Sequence, residues 1–192
     1  ARLGVELAVI VPPVWRDPSG NVPLEKAFTQ GYRLWVDPVR FNGSYHLYHF
    51  PTLARRLREF RPDILHIDEE PYNLATWHAL RLARGYGVKA LFFSWQNILR
   101  RYPPPFDWGE RWTLHRADYA LMGTQSAAEV FRAKGYQGPL TVAPQFGVDP
   151  DLFQPRVRLA NPVPVVGFIA RLRPEKGAHI LIQAVGLLAR RG

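Results

Sequence analysis

The sequence of 192 residues contains no cysteine and only four lysines. The absence of cysteine excludes disulfide scaffolds, thiolate zinc sites and cysteine nucleophiles, and it makes a reducing, cytoplasmic setting the default expectation. Long apolar runs are also missing, because the best one, Val163 to Ala170, is broken by Pro164 and Gly167. A membrane-spanning helix needs roughly 18 apolar residues, so we expect none.

Sequence motifs for metal binding, for nucleoside-triphosphate binding and for a serine nucleophile are absent as well. The histidines lack the spacings typical of metal ligands, and there is no Walker-type loop or G-x-S-x-G elbow. No metal cofactor is therefore expected. An initiator methionine and a targeting segment are missing too, while Ala1 to Gly4 is typical of the last turn of a helix. We interpret the sequence as a segment of a longer protein.

The charge balance is strongly basic. There are 25 lysine and arginine residues against 16 acidic residues, a formal net charge of +9. This excess favours anionic partners such as phosphorylated ligands, nucleic acid or an acidic membrane surface. An arginine-rich solvated surface without such a partner explains the charge equally well, so both interpretations remain open.

Short β-branched runs alternate with helical patterns along most of the chain. We expect helices at 52–60, where Leu53, Leu57 and Phe60 form an apolar stripe, at 72–84 and at 177–192. Strands are predicted at 5–11, 63–67, 88–93, 118–122, 140–143 and 164–169. This alternation predicts an α/β fold with a Rossmann-like parallel sheet flanked by helices.

Residues 12 to 50 are rich in proline and glycine and predict an elaborated loop with short strands at 32–36 and 39–41 and a turn at Asn42-Gly43.

A basic turn links the predicted strand at 164–169 to the last helix. A turn at the carboxyl end of a parallel strand directs backbone N–H groups and a helix dipole toward an anion. Arg171 and Lys176 would add a guanidinium fork and a point charge suited to a diphosphate. By residue type alone, an ordinary strand-to-helix loop with solvated basic residues is the simpler interpretation.

Four segments in register resemble family 4 retaining glycosyltransferases, whose two domains form the GT-B fold. They are Gly167-Phe168-Ile169-Ala170-Arg171-Leu172-Arg173-Pro174-Glu175-Lys176-Gly177, Arg61-Pro62-Asp63-Ile64-Leu65-His66-Ile67, Ala117 to Met122 with Thr124 and Ser126, and Val142 to Asp149 with Phe153-Gln154-Pro155. The resemblance covers about residues 61 to 192. It implies an N-terminal acceptor-side domain at 1–155, a linker at 156–163 and the start of a nucleotide-sugar-binding domain at 164–192.

The resemblance implies transfer of a sugar from a nucleotide-diphosphate-sugar to an acceptor, with retained anomeric configuration and without a metal. Arg171 and Lys176 match the family's basic pair that binds the donor diphosphate. Sugar, lipid-linked and small-molecule acceptors are all compatible. Two alternatives stay open: a sugar-nucleotide epimerase of the same fold, and a basic α/β module that binds nucleic acid or an anionic surface.

The sequence departs from the family pattern at several points. Ala170 stands where the family usually has glycine, and Gln96 stands nearest to a histidine that many members carry in the cleft loop. Glutamine binds a hydroxyl but is not a general base. The family's glycine-rich loop is expected before Ala1 and its catalytic glutamate pair beyond Gly192. We therefore expect this segment to be inactive alone.

Acidic and amide residues follow two predicted strands, at the sheet edge where α/β proteins place ligands. Asp68 and Glu70 are candidates for binding the acceptor, together with Gln96 and Asn97. Capping of the next helix is an equally good interpretation for the two carboxylates and the better one for Glu69. His66 lies within an apolar strand and is predicted to be a core histidine.

Between Asn97 and Arg116, arginines alternate with aromatic residues. Such a segment docks on an anionic membrane or stacks on nucleic-acid bases in some proteins. A rigid loop followed by a helix that buries Trp108, Trp112 and Leu114 is the simpler prediction. The expected location is the cytoplasm, with peripheral contact with the cytoplasmic membrane face as an alternative.

Overall fold

The structure is a computed structural model that describes residues 4 to 155 and 162 to 190. The chain divides into two compact units at Gly147, referred to below as unit 1 (Ala1–Gly147) and unit 2 (Val148–Gly192). The helix turn expected at Ala1 to Leu3 and most of the linker expected at 156–163 lie outside the described residues. The domain boundaries given above stay a prediction.

Unit 1 begins with four short strands. They are β1 (Ala8–Val11), β2 (Val14–Asp17), β3 (Gly20–Pro23) and β4 (Arg33–Val36). β1 pairs with β4 in parallel, and β2 and β3 form an antiparallel hairpin between them. This hairpin was not predicted, because the prolines and glycines at its ends interrupt the pattern of the two short strands.

A turn at Asn42-Gly43 supports the hairpin from outside. The Asn42 side chain accepts from the Arg16 backbone N–H at 2.9 Å and donates to the Val14 carbonyl at 2.8 Å. Gly43 has φ +92°, and a Cβ there would lie 2.9 Å from the Arg16 carbonyl oxygen. The strand expected at 39–41 is reduced to one isolated bridge between Arg40 and His49, so that part of the prediction is wrong. Directly after this segment, the Asn42 side chain hydrogen-bonds to the backbone of β2, and the backbone pairing of residues 39–41 does not extend beyond the single bridge.

The rest of unit 1 confirms the predicted α/β architecture. In chain order its elements are α1 (Leu53–Phe60), β5 (Ile64–Ile67), α2 (Leu74–Gly85), β6 (Lys89–Ser94), α3 (Phe106–Arg116), β7 (Tyr119–Met122), α4 (Gln125–Ala133) and β8 (Leu140–Val142). The four strands form one parallel sheet in the order β5-β6-β7-β8. All carboxyl ends therefore lie at the same edge of this sheet.

Helices cover one face of the sheet and bury its apolar residues there. Leu53 and Leu57 of α1 are buried, as the stripe predicts, and they pack with Ile67 and Ala90 of the sheet. A second cluster joins the central strands to α4 around Phe92, Met122, Phe131 and Tyr136. Alternation along a strand turns every second side chain away from this core. His66 is accordingly exposed, and so is Ile64 on the same face, with 60% of its surface accessible. The prediction that His66 is a core histidine is therefore wrong.

α3 packs its inward face, Glu110, Thr113 and Leu114, into unit 1. Trp108 lies on the other side of the helix and is 61% exposed, which contradicts the expectation that it is buried. The Trp77 indole of α2 packs against α3 at Gly109. A Cβ on Gly109 would lie 1.9 Å from that ring.

We predict that Gly109→Ala destabilises unit 1 by about 2 kcal/mol or more, because the indole must leave its place to make room for a methyl group. Gly85→Ala is the matched control: Gly85 ends α2, and a Cβ there meets nothing within 4 Å. It should be neutral or stabilising by about 0.5–1 kcal/mol. All six tryptophans lie in unit 1, so tryptophan fluorescence during urea unfolding reports on that unit. Equal effects of the two variants would contradict the packing argument.

A buried ion pair ties the segment after β4 to α1. Asp37 is 4% exposed, and its carboxylate accepts from Arg56 Nη2 at 2.6 Å, from Arg56 Nε at 2.8 Å and from Thr52 Oγ1 at 2.6 Å. The Arg56 guanidinium lowers the pKa of Asp37 to about 2 from its ordinary value of 3.8. The folded state thus favours the ionised form of the Asp37 carboxyl group.

A depressed folded-state pKa contributes stability that is complete above the unfolded pKa and is lost as the pH falls through the folded pKa. We therefore expect Asp37 to contribute about 2 kcal/mol of pH-dependent stability, present at neutral pH and lost between about pH 4 and pH 2. The measurement compares the unfolding free energy of the wild type and Asp37→Asn across this range. A difference that does not change with pH would contradict the assignment.

Unit 2 is described over residues 148–155 and 162–190. A short 3-10 helix, Pro174–Lys176, leads through Gly177 at φ +74° into α5 (Ala178–Ala189), close to the predicted helix. The strand expected at 164–169 is not formed. A strand is defined by pairing, and the described part of unit 2 holds no other strand to pair with it. Val165 and Ile169 are accordingly exposed.

Candidate functional site

The carboxyl edge of the parallel sheet in unit 1 gathers polar side chains from successive strand ends. Asp68 and Glu70 follow β5, Ser94 ends β6 and is followed by Trp95, and Gln145 follows β8. The sheet order places these strand ends side by side. We call this set, together with Gln96, the edge cluster.

Glu70 connects the segment after β5 to the segment after β6. Its Oε2 accepts from Ser94 Oγ at 2.5 Å, and its Oε1 accepts from the Trp95 backbone N–H at 3.0 Å. Burial raises the pKa of Glu70, while these two donors partly counteract that rise. A carboxylate has about four acceptor positions, and these two hydrogen bonds occupy two of them.

Asp68 and Trp95 are bridged by Gln145. The Trp95 indole N–H donates to Gln145 Oε1 at 2.6 Å, and Gln145 Nε2 donates to Asp68 Oδ1 at 2.6 Å. The indole lies on Gly123, where a Cβ would be 2.3 Å from the ring. This chain of contacts links the ends of β5, β6, β7 and β8. Asp68 is exposed and Trp95 is 41% exposed, so both are available to a ligand at this edge.

Glu69 belongs to the packing of the fold. Its Oε1 accepts from the Tyr48 hydroxyl at 2.6 Å, and its Oε2 accepts from Asn73 Nδ2 at 2.6 Å. Asn73, the residue before α2, also contacts His46 Nδ1 at 2.8 Å. Burial, reinforced by the Glu69 charge, raises the pKa of the Tyr48 hydroxyl well above its usual range. Glu69 therefore anchors the loop of residues 44–50 to α2.

Gln96 is held from two sides. Its Oε1 accepts from Lys134 Nζ at 2.8 Å, and its Nε2 donates to the Tyr102 hydroxyl at 3.1 Å. Lys134 Nζ also donates to Glu110 Oε1 at 2.5 Å, and both side chains of this ion pair are nearly fully buried. The Gln96 amide is thus fixed in one orientation by a buried cation. The remaining candidate, Asn97, is exposed.

Arg171 and Lys176 lie in unit 2, in the turn that precedes α5. Both are exposed, and neither side chain forms a hydrogen bond or an ion pair within the described residues. The backbone N–H groups of Ala178 and His179 begin α5 and have no acceptor within it, because the first bonds run from Ile180 and Leu181 to Gly177. Two free cations and two free donors therefore accompany this helix start.

A surface depression of about 660 Å³ is lined by residues 4–7 and 31–33, at the amino ends of β1 and β4, and none of the edge cluster residues lines it. Within the described ranges, no three histidine or acidic residues are grouped closely enough to hold a metal ion. No helix in the part of the chain that the structure describes is long and apolar enough to cross a membrane.

Three residues of the edge cluster, Ser94, Trp95 and Gln145, were not predicted from the sequence, and neither was Lys134, which holds Gln96. Ser94 and Trp95 directly precede Gln96, so the strand-end rule that selected Gln96 applied to them equally. Gln145 lies 77 positions from Asp68. Nothing in the local pattern indicates that contact, and only the sheet order brings the two residues together.

The structure is an α/β fold whose parallel sheet carries acidic, amide and aromatic groups at its carboxyl edge, the edge at which open α/β sheets generally bind ligands. The comparison with family models narrows this class. The model described as Glycosyltransferase Family 4 matches residues 1–152, and the chain belongs to that family. No curated protein and no solved structure matches the chain. The match covers unit 1 and the edge cluster, whereas Arg171 and Lys176 lie beyond it.

Proposed function

We propose that the protein is part of a retaining glycosyltransferase that moves a sugar from a nucleotide-diphosphate-sugar to an acceptor hydroxyl. The observation that carries the proposal is the edge cluster, with Asp68, Glu70 and Gln96 among its members, at the strand ends of a family 4 glycosyltransferase domain. Sugars and their acceptors are recognised through hydroxyl groups. Carboxylates and amides bind hydroxyls well, because they supply acceptors and donors in fixed directions.

The edge cluster supports an acceptor site because its groups are oriented in advance. Glu70 is held by Ser94 and Trp95, and Gln96 is held by Lys134 and Tyr102. Groups fixed before binding lose little entropy when a ligand arrives. Trp95 adds a half-exposed aromatic surface beside these polar groups. Asn97, the residue after Gln96, is exposed to solvent.

The donor side of the proposal rests on Arg171 and Lys176. As the sugar departs, negative charge develops on the diphosphate, and two cations beside a helix N-terminus would stabilise that charge. These residues would perform this part of the reaction without a metal. We propose a cytoplasmic enzyme, since a cysteine-free sequence suits a reducing compartment.

The experiment tests Glu70 in the protein expressed from its whole coding region, with a panel of nucleotide-diphosphate-sugars and acceptors. Glu70→Gln should raise the KM for the acceptor about tenfold or more and leave the KM for the donor unchanged, because it removes a charged hydrogen-bond acceptor from the acceptor side only. Glu59→Gln, a half-exposed carboxylate on α1, is the control. An unchanged acceptor KM in Glu70→Gln would contradict the assignment of the edge cluster.

A further inference from the structure

Residues 97 to 101 form an exposed loop, and the proposed transfer reaction uses only its first residue, Asn97. This loop, Asn97-Ile98-Leu99-Arg100-Arg101, follows β6 and is called the apolar–basic loop below. Ile98 is 57% exposed and Leu99 is 60% exposed, and both arginines are exposed beside them. Ile98 and Leu99 are adjacent and so form one contiguous apolar patch, whereas exposed apolar residues scattered singly are normal on a protein surface.

The base of the apolar–basic loop is fixed. Gln96 and Tyr102 flank it and bond to each other at 3.1 Å, which closes the loop. Tyr102 stacks on Tyr72 with ring centroids 4.1 Å apart, and buried Lys134 holds Gln96. The exposure of Ile98 and Leu99 is therefore built into a closed loop and does not arise from a frayed chain end.

The charge of the loop is of one sign. Neither arginine forms an ion pair or a side-chain hydrogen bond within the described residues, and no acidic residue occurs between Ser94 and Phe106. Apolar side chains flanked by unpaired arginines match the surface of an anionic bilayer, where acyl chains lie just beneath phosphate groups. Arginine suits phosphates because its guanidinium binds them in a fork.

We propose that the apolar–basic loop docks the protein on an anionic lipid bilayer. Ile98 and Leu99 enter the boundary between headgroups and acyl chains, while Arg100 and Arg101 bind lipid phosphates. A contact of this size is reversible, since it has only two apolar side chains and two charges. Five residues span at most about 17 Å even when fully extended, so docking through this closed loop holds the edge cluster close to the membrane surface.

The experiment is co-sedimentation of the purified chain with vesicles. Vesicles of phosphatidylcholine mixed with phosphatidylglycerol are compared with vesicles of phosphatidylcholine alone. One variant, Ile98→Ser with Leu99→Ser, removes the apolar tip, and Val148→Ser with Leu152→Ser is its control at similarly exposed apolar positions. A second variant, Arg100→Gln with Arg101→Gln, removes the charge, and Arg55→Gln with Arg58→Gln is its control on the exposed face of α1.

We expect the wild type to bind the anionic vesicles in preference to the neutral ones. Each loop variant should lose about tenfold or more in binding, and each control should bind like the wild type. Absence of wild-type binding to anionic vesicles would overturn the proposal. Equal losses in the loop variants and their controls would also overturn it, because they would indicate a diffuse charge effect. So would displacement of the protein from the vesicles by a single-stranded oligonucleotide at a concentration below that of the accessible anionic lipid. A dimer in light scattering that only the apolar loop variant disrupts would show that the loop binds a second copy instead.

Discussion

Replacing Lys134 with methionine will lower the free energy of unfolding of unit 1 by about 3–5 kcal/mol, because it leaves Glu110 buried without its counter-ion. Glu110 has no other hydrogen-bond partner for its side chain within the described residues. Burial already raises the pKa of Glu110, and Lys134 is the group that opposes this rise. The variant should consequently recover part of its stability at low pH, where Glu110 becomes neutral.

A double variant and a control separate the buried charge from other effects. Lys134→Met with Glu110→Met should lose less stability than Lys134→Met alone, because two apolar side chains can replace a buried pair. Lys89→Met removes a lysine that is 74% exposed and pairs with Asp118, so it should cost no more than about 1 kcal/mol. Urea unfolding followed by tryptophan fluorescence measures all three. A loss below 1 kcal/mol in Lys134→Met, or a larger loss in the double variant, would contradict this account.

Loss of either proposed donor cation will reduce turnover strongly. Arg171→Ala and Lys176→Ala should each lower kcat/KM for the nucleotide-sugar about 100-fold to 1,000-fold, the range observed when one group that stabilises a developing anion is removed. Both side chains are exposed and form no ion pair within the described residues, so folding should be unaffected. Arg173→Ala is the matched control, since Arg173 is an exposed cation in the same turn.

The kinetic pattern distinguishes binding from transition-state stabilisation. A lower kcat with an unchanged donor KM would show that the cation stabilises the departing diphosphate in the transition state. A higher donor KM with an unchanged kcat would show that it only helps to bind the donor. The assay uses the protein expressed from its whole coding region. Equal activity of Arg171→Ala, Lys176→Ala and Arg173→Ala would refute the diphosphate assignment.

The regular part of the fold was predictable because its signals are local. Each strand of the four-stranded sheet is a short apolar run, and α1 carries its stripe of Leu53 and Leu57. The β2–β3 hairpin lacked such a signal, because neither of its strands is a continuous apolar run. The strand expected at 164–169 had the right local pattern but has no partner in the described part of unit 2, and pairing is not a local property.

The site was predictable in position but not in detail. The rule that ligands bind at strand ends selected Asp68, Glu70 and Gln96, and the structure brings these three to one edge of unit 1. It could not show that Gln145 bridges Asp68 and Trp95, or that a buried lysine fixes Gln96, because both contacts join distant parts of the chain. His66 was misjudged because alternation within a strand reveals two faces without showing which one is covered.

The most direct test of the central claim is the anomeric configuration of the product. The protein expressed from its whole coding region is incubated with nucleotide-diphosphate-sugars and acceptors in the presence of a chelator, and the new linkage is examined by NMR. We predict acceptor-dependent release of nucleoside diphosphate and a product with the same anomeric configuration as the donor. An inverted product, a strict need for a divalent metal, or conversion of the nucleotide-sugar without an acceptor would contradict the proposed retaining transfer.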